Sequence, residues 1–109
     1  MFDDRMPTSV WVQAGLALCS SRGVPAAVLR KGDPHTGIVL LKVATLDGAC
    51  RLLTQQRDID GILAWVDALP NSSRPAESDA DAYIERAGSR DPDLWVIELE
   101  DRDARNPFE

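Results

Sequence analysis

The chain is poor in the residues that build metal sites and nucleophilic sites. Its 109 residues include one histidine, His35, and two cysteines, Cys19 and Cys50, which lie far apart in apolar contexts. A zinc site needs about four ligands drawn mainly from Cys and His, and this inventory barely supplies three. No catalytic serine motif or nucleotide-binding glycine motif is present either. We therefore expect no cofactor, and we expect two buried, reduced thiols, as is usual for cytoplasmic proteins.

Long apolar runs and lysines are also scarce. No stretch approaches the roughly 18 apolar residues of a membrane helix, and the acidic N-terminus, Met1-Phe2-Asp3-Asp4-Arg5, is unlike a signal peptide. Only Lys31 and Lys42 are lysines among 12 basic residues, and 18 acidic residues bring the net charge to -6. Affinity for nucleic acid comes largely from neutralised phosphates. The sequence thus favours a cytoplasmic protein and disfavours nucleic acid or a membrane as its partner.

The remaining composition is that of a folded domain. Hydrophobic residues make up 44% of the chain and charged residues 28%, which is an ordinary globular mixture. We expect a single α+β domain over residues 1–109, with flexible tails at 1–8 and 103–109. A domain of this size buries only about two-thirds of its unfolded surface. A homodimer that hides more apolar area would therefore be consistent with the composition.

Two helices are predicted from capping residues and apolar spacing. The first covers Ser9 to Arg22, with Thr8 or Ser9 as its N-cap and Gly23 as its stop. Its apolar face is read from Val10, Trp11, Ala14, Ala17 and Leu18. The second helix begins at Ser78 and fades before Asp91-Pro92, because a residue that precedes proline avoids the helical region.

The segment between the helices is predicted to form a four-stranded antiparallel meander. Ile38 to Val43 is apolar on both sides, which suits a central strand covered on two faces, or one with a helix on one face and a partner on the other. Asp47-Gly48 is a hairpin signal. Residues 59–69 fit a helical stripe or a strand after Asp60-Gly61, and we favour the strand, partly from the resemblance given below. The predicted strands are 24–31, 37–45, 49–56 and 59–69, and a C-terminal strand, 94–100, joins the same sheet.

Acidic residues bracket the last predicted strand. Alternation along this strand places Glu98 and Glu100 on the face opposite Trp95, with Asp93 at the start of the strand. Three carboxylates of this kind can share a divalent cation, and the pattern is similar to the cores of metal-dependent nucleases. Those cores need a lysine beside the last acid, and Asp101 occupies that position here. We favour the simpler interpretation, a strand whose outer end is solvated.

Basic residues lie on neighbouring predicted strands. Arg30, Lys42 and Arg51 would form a small anion-binding patch if the strand register placed them on one face. Cross-strand ion pairs with Asp33, Asp47 or Glu98 account for them equally well, and we favour pairing.

Several segments match a known family. The longest is Asp91-Pro92-Asp93-Leu94-Trp95-Val96-Ile97-Glu98-Leu99-Glu100-Asp101-Arg102, and shorter ones are Ser9-Val10-Trp11-Val12, Val28-Leu29-Arg30-Lys31-Gly32-Asp33, Leu40-Leu41-Lys42-Val43 and Leu46-Asp47-Gly48. With them the chain resembles DUF1491, a bacterial family of unknown function found mainly in alphaproteobacteria. The resemblance covers nearly the whole chain and implies a cytosolic location and a compact α+β structure. It implies no activity, cofactor or catalytic residue.

Two functional hypotheses follow. The favoured one is a non-enzymatic binding or adaptor domain that holds a protein partner, or a second copy of itself, at an open sheet edge or an uncovered apolar face. The alternative is a divalent-metal-dependent hydrolase or nuclease that uses Asp93, Glu98 and Glu100.

Overall fold

The computed structural model describes residues 6–108, which form two helices and five strands. The helices are α1 (Thr8–Ser21) and α2 (Glu77–Arg90), and the strands are β1 (Ala26–Arg30), β2 (Val39–Ala44), β3 (Cys50–Arg57), β4 (Leu63–Asp67) and β5 (Trp95–Glu100). The predicted α+β class is confirmed, and the ambiguous stretch 59–69 contains a strand, β4. Within the described range, neither helix combines the length and the apolarity needed to cross a bilayer.

The strands form one mixed sheet in the order β1-β5-β2-β3-β4. As predicted, β2, β3 and β4 are antiparallel neighbours. However, β5 lies between β1 and β2, antiparallel to β1 and parallel to β2. The prediction of a four-stranded antiparallel meander is therefore wrong at its first strand. The physical reason is that β5 is apolar on both faces over most of its length, so it is buried best in the interior of the sheet.

The connection from β1 to β2 is not a hairpin, because it wraps around the start of β5. The Asp33 N–H donates to the Asp93 carbonyl at 3.0 Å, and the Trp95 indole N–H donates to the Asp33 carbonyl at 2.7 Å. Glycines at positions 32 and 37 permit this close approach, since a Cβ on either would collide with the Asp93 carbonyl oxygen. Turn residues that the sequence assigns to a hairpin thus hold β5 in place.

The same connection satisfies the first amides of α1. Thr8 N–H donates to the His35 carbonyl at 3.2 Å, and Ser9 N–H donates to the Pro34 carbonyl at 2.9 Å. The N-cap position is Pro7, and no side chain caps the helix. The predicted N-cap role of Thr8 or Ser9 is wrong, because backbone carbonyls from a distant loop supply the acceptors. The predicted cap of α2 also differs, because Ser78 lies inside that helix, which begins at Glu77 without a side-chain cap.

Apolar side chains cover both faces of the sheet. All six residues of β2 are buried, which confirms its prediction as a strand covered on two faces. One face packs against α1 through Trp11, Val12, Cys19, Val39, Leu41, Val43, Leu53, Trp95, Ile97 and Leu99. The other face packs against α2 through Leu40, Cys50, Leu52, Ala80, Leu94 and Val96. Both cysteines are buried and free, and they lie on opposite faces of the sheet.

The C-terminal segment packs into the core instead of forming the tail predicted over 103–109. Phe108 is only 2% exposed, and its ring lies edge-on to Trp11 and Trp65 at centroid distances of 5.8 Å and 6.3 Å. The ring sits directly over Gly15 of α1, where a Cβ would clash with three ring carbons. The inward face of α1 is therefore centred on Gly15, and the predicted face residue Val10 is 48% exposed.

Close packing of Phe108 on Gly15 leads to a prediction about stability. In the wild-type background, Gly15→Ala should cost about 1–3 kcal/mol, because the new methyl group overpacks the core. In the Phe108→Ala background the same substitution should stabilise by up to about 1 kcal/mol, because alanine has the higher helix propensity. Urea denaturation followed by tryptophan fluorescence measures both effects. An equal loss of stability from Gly15→Ala in the two backgrounds would contradict the Phe108–Gly15 contact. The neutral control is Ile59→Ala, at a fully exposed site.

Candidate functional site

The three predicted metal ligands, Asp93, Glu98 and Glu100, do not come together. Asp93 precedes β5, and five residues of nearly extended chain, about 16 Å, separate it from Glu98. Glu98 and Glu100 share a strand face, but the Glu98 carboxylate accepts a hydrogen bond from Lys42 at 3.1 Å. Across residues 6–108 no three His, Cys, Asp or Glu side chains are placed so that they could hold a metal ion.

Lys42 is instead the buried centre of an ionic cluster whose three carboxylates are partly exposed. The parallel register of β2 and β5 places it opposite Glu98, and the first turns of α2 bring Glu77 and Asp81 over it. Its Nζ lies 3.0 Å from Glu77, 2.8 Å from Asp81 and 3.1 Å from Glu98, and its side chain is only 5% exposed. The structure thus contains the cross-strand Lys42–Glu98 pair that the sequence favours. Because three carboxylates occupy the ammonium group, Lys42 cannot serve as an anion ligand.

Electrostatics keep Lys42 charged. Burial by itself disfavours the ammonium form, but the hydrogen bonds that Lys42 donates to Asp81, Glu77 and Glu98 outweigh this penalty, and the pKa of Lys42 is raised above its ordinary value. A lysine with a raised pKa holds its proton at neutral pH, which makes it unsuitable as a general base or a nucleophile. The cluster therefore attaches α2 to the sheet and offers no catalytic group.

The predicted anion-binding residues are also separated. Arg51 is paired with Val43 and faces α1, whereas Lys42 faces α2. Arg51 Nη1 donates to the carbonyl of Ala104 at 2.6 Å, so the C-terminal segment contacts it directly. Arg30 is paired with Val96 on the α2 side and packs against that helix at Gly88. The register thus fails to place Arg30, Lys42 and Arg51 on one face.

The most unusual surface in the structure is the outer edge of β1. Ala26 to Leu29 are all exposed, although each is apolar, and Val28 and Leu29 are 39% and 52% exposed. By contrast, every residue of the central strand β2 is buried. Natural proteins usually protect edge strands with charged side chains, prolines or bulges, because an open edge can pair with another chain.

The hydrogen-bond alternation of the β1–β5 ladder shows which backbone groups are open. Glu100 N–H donates to the Pro25 carbonyl at 3.0 Å, which makes these two residues a hydrogen-bonded pair. Because bonded and non-bonded pairs alternate in an antiparallel ladder, the next bonded pair is Ala27 and Glu98. The N–H and C=O groups of Ala26 and Val28 therefore point away from the sheet.

Two local features limit the length of this edge. Pro25 precedes the strand, and a bulge shifts the register between Val28 and Arg30. The open ladder is consequently only three or four residues long. The opposite edge strand, β4, is less exposed. Its Trp65 packs against Trp11 and Phe108, and the strand ends in the charged residue Asp67.

The sequence does not reveal this edge, because an apolar run such as Ala26 to Leu29 is also typical of a buried strand. One signal was present in Pro25, since proline beside a strand is commonest at sheet edges. The length of the connection 31–38 was a second signal, because it exceeds that of a tight hairpin.

The ionic cluster predicts how stability depends on pH. Replacing Lys42 by methionine leaves three facing carboxylates without their cation, but these carboxylates are 30–58% exposed and screened by solvent, so we expect a loss of about 1–2 kcal/mol in the free energy of unfolding at pH 7. Above the ordinary lysine pKa of 10.5 the folded wild type holds a proton that the unfolded chain has released. The free energy of unfolding of the wild type should therefore fall as the pH rises above 10.5. The difference in this free energy between the wild type and Lys42→Met should narrow over the same range.

Urea denaturation between pH 7 and pH 11 measures this gap. Lys31→Met, which removes an exposed lysine, is the matched control and should track the wild type. If the difference in the free energy of unfolding between the wild type and Lys42→Met stays constant over this range, Lys42 does not stabilise the fold through its charge.

Comparisons with known proteins agree with this architecture. The family model described as "Protein of unknown function (DUF1491)" matches residues 6–109. The crystal structure of a DUF1491 family protein from Caulobacter crescentus CB15 is 41% identical, covers 95% of this chain and 94% of that one, and gives a TM-score of 0.84. The NMR structure of a DUF1491 family protein from the same organism is 39% identical, with coverage of 94% and 92% and a TM-score of 0.80.

A more distant neighbour shares the fold. The solution structure of protein Atu0922 from A. tumefaciens is 23% identical, covers 89% of this chain and 86% of that chain, and gives a TM-score of 0.72. A search of curated proteins finds no match. The family model spans nearly the whole sequence and the two Caulobacter structures align over almost their full lengths, so the chain belongs to the DUF1491 family.

Proposed function

We propose that this protein is a non-enzymatic binding domain that adds an extended segment of a partner protein to the outer edge of β1. The observation that carries the proposal is the open ladder at Ala26 and Val28, whose flanking side chains are apolar and exposed. In this mode of recognition, backbone hydrogen bonds supply affinity and alternate side chains supply specificity. The two free, buried cysteines support a reducing compartment, and we place the protein in the cytoplasm.

An uncovered apolar face, the other form of the binding hypothesis, receives no support. Both faces of β2 are covered by helices of the same chain, so the two-sided apolar character of this strand requires no partner. The open edge alone therefore motivates a binding function.

We further propose that the partner is a different chain rather than a second copy. In a symmetric antiparallel β1–β1 pairing, Pro25 and the bulge between Val28 and Arg30 of each strand would face the other strand and limit the shared ladder to about three residues. Each copy also carries a net charge of -6. Light scattering after size-exclusion chromatography at several concentrations tests this choice, and a dimer that Val28→Pro disrupts would contradict it.

Amide hydrogen exchange tests the open edge in the free protein. The N–H groups of Ala26 and Val28 should exchange fast, because no strand accepts from them, whereas the N–H of Ala27 should be protected by its bond to β5. Two-dimensional ¹⁵N–¹H correlation spectra measure the exchange of each amide separately. Protection at Val28 comparable to that at Ala27 would show that the edge is already occupied.

Binding itself can be tested with extended peptides selected from a random display library. Peptides that bind should protect the amides of Ala26 and Val28, and Val28→Pro should weaken their affinity about tenfold, because it removes one outward donor. The matched control is Ile59→Pro, in the exposed β3–β4 turn, which adds a proline away from β1. If the selected peptides bind Val28→Pro as tightly as they bind the wild type, the proposal is wrong.

A further inference from the structure

An open groove of about 290 Å³ lies between the end of β1 and the C-terminal half of α2. We call it the β1–α2 groove and define it by the lining residues Leu29, Arg30, Ile84, Glu85, Gly88 and Ser89. Arg30 is paired with Val96, which belongs to the core cluster under α2, so the groove opens on the α2 face of the sheet. A strand added to β1 would lie about 4.8 Å beyond it. Every second side chain of that strand would therefore lie on the same face of the sheet as the groove.

The centre of the β1–α2 groove is apolar. Leu29 lies at the bulge that shifts the register between Val28 and Arg30, and it is 52% exposed. Ile84 is only partly buried, although it packs against the core cluster on the α2 face. Both side chains would lose further contact with water if an apolar side chain lay between them. An added strand thus finds a place for one apolar residue.

Arginines surround this apolar centre. The guanidinium group of Arg30 lies along α2, since a Cβ on Gly88 would be 3.2 Å from its Nη1. Arg86 and Arg90 lie on the adjoining surface of α2, which shares part of its lining with the groove. The three arginines and one acid, Glu85, give this region a local charge of +2, whereas the whole chain carries -6.

The three arginines are unpaired within residues 6–108. Arg30, Arg86 and Arg90 form no ion pair there. Arg86 and Arg90 are four residues apart on one helix, so their charges repel each other. The dipole at the C-terminal end of α2 favours a cation in the last turn, which accounts for Arg90 alone. Asp91, the first acid after the helix, accepts the Asp93 N–H at 3.0 Å and is not part of the lining. An anionic ligand would therefore relieve a repulsion that the free protein retains.

We infer that the segment that pairs with the outer edge of β1 is an acidic peptide, an inference that rests on the proposed function. One apolar side chain would lie between Leu29 and Ile84, and carboxylates on either side of it would bind Arg30, Arg86 and Arg90. Guanidinium groups bind carboxylates with charge-assisted hydrogen bonds, and a glutamate opposite Arg30 would form a favourable cross-strand pair. The net charge of -6 favours basic partners at long range. A preference for acidic peptides would thus come from the groove and not from the protein as a whole.

Two peptide display libraries test this inference on the full chain. Both present eight-residue segments whose four central positions are varied among Val, Ile, Leu and Thr. The two residues at each end are Glu in one library and Lys in the other. We expect Glu-flanked peptides to protect the amides of Ala26 and Val28 from exchange, and to bind at least about tenfold more tightly than Lys-flanked peptides.

The possible results distinguish this inference from the proposed function. If Lys-flanked peptides protect Ala26 and Val28 and bind as tightly as Glu-flanked ones, the edge binds peptides but the inference is wrong. If no peptide of either library protects these amides, the inference and the proposed function are both wrong. If poly(U) RNA displaces Glu-flanked peptides at equal concentration, the groove recognises negative charge alone, and only the inference is wrong.

Two double variants connect the preference to the groove. Arg86→Gln combined with Arg90→Gln removes two exposed charges from α2 and should weaken the binding of a Glu-flanked peptide about three- to tenfold. Arg57→Gln combined with Arg74→Gln removes two exposed charges far from β1 in the sheet order, at the end of β3 and in the loop before α2. This control should change the affinity less than about twofold, because salt screens distant charges. Urea midpoints will show that both double variants are folded. Equal losses in the two double variants, or no loss in either, would overturn the inference.

Discussion

The pairing of β5 with both β1 and β2 is the constraint from which the rest of the structure follows. β5 is the last strand in the sequence, yet it occupies an interior position in the sheet and forms a parallel ladder with β2. A parallel pair needs a long crossover, and here β3, β4 and α2 together provide it. By entering between β1 and β2, the strand places β1 at the border of the sheet, where no other strand of residues 6–108 pairs with its outer side.

The same insertion determines the electrostatics of the interior. It aligns Glu98 with Lys42, and the crossover helix α2 adds Glu77 and Asp81 above them. An isolated buried ammonium group would be very costly, so the three carboxylates are a condition for burying lysine in a central strand. Charged residues that look like candidate ligands in the sequence are thus consumed in joining helix to sheet.

Local patterns predict the elements well but their arrangement poorly. The turn at Asp47-Gly48 and the two-sided apolar run of β2 identify the β2–β3 hairpin and its central position correctly. Alternation along β5 also assigns Trp95 and Glu98 to the correct faces. These features depend on residues that are close in the sequence. The order of the strands depends on which distant segments bury the most apolar area, and periodicity carries no such information.

The candidate sites were hidden from the sequence for related reasons. An apolar edge strand and an apolar interior strand have the same composition, so the exposure of Ala26 to Leu29 is a consequence of topology alone. The burial of Phe108 depends on the absence of a side chain at Gly15, far away in the sequence. Arg51 can donate to the Ala104 carbonyl only because this distant contact draws the C-terminal segment onto the sheet.

The central claim is that the outer edge of β1 is a binding surface. Intermolecular nuclear Overhauser effects between an isotope-labelled protein and an unlabelled selected peptide test it most directly. We expect contacts from peptide α-protons and amides to the backbone of Ala26 and Val28, in the regular pattern of a sixth strand. Contacts confined to β4, to α1 or to the C-terminal segment would contradict the proposed binding surface.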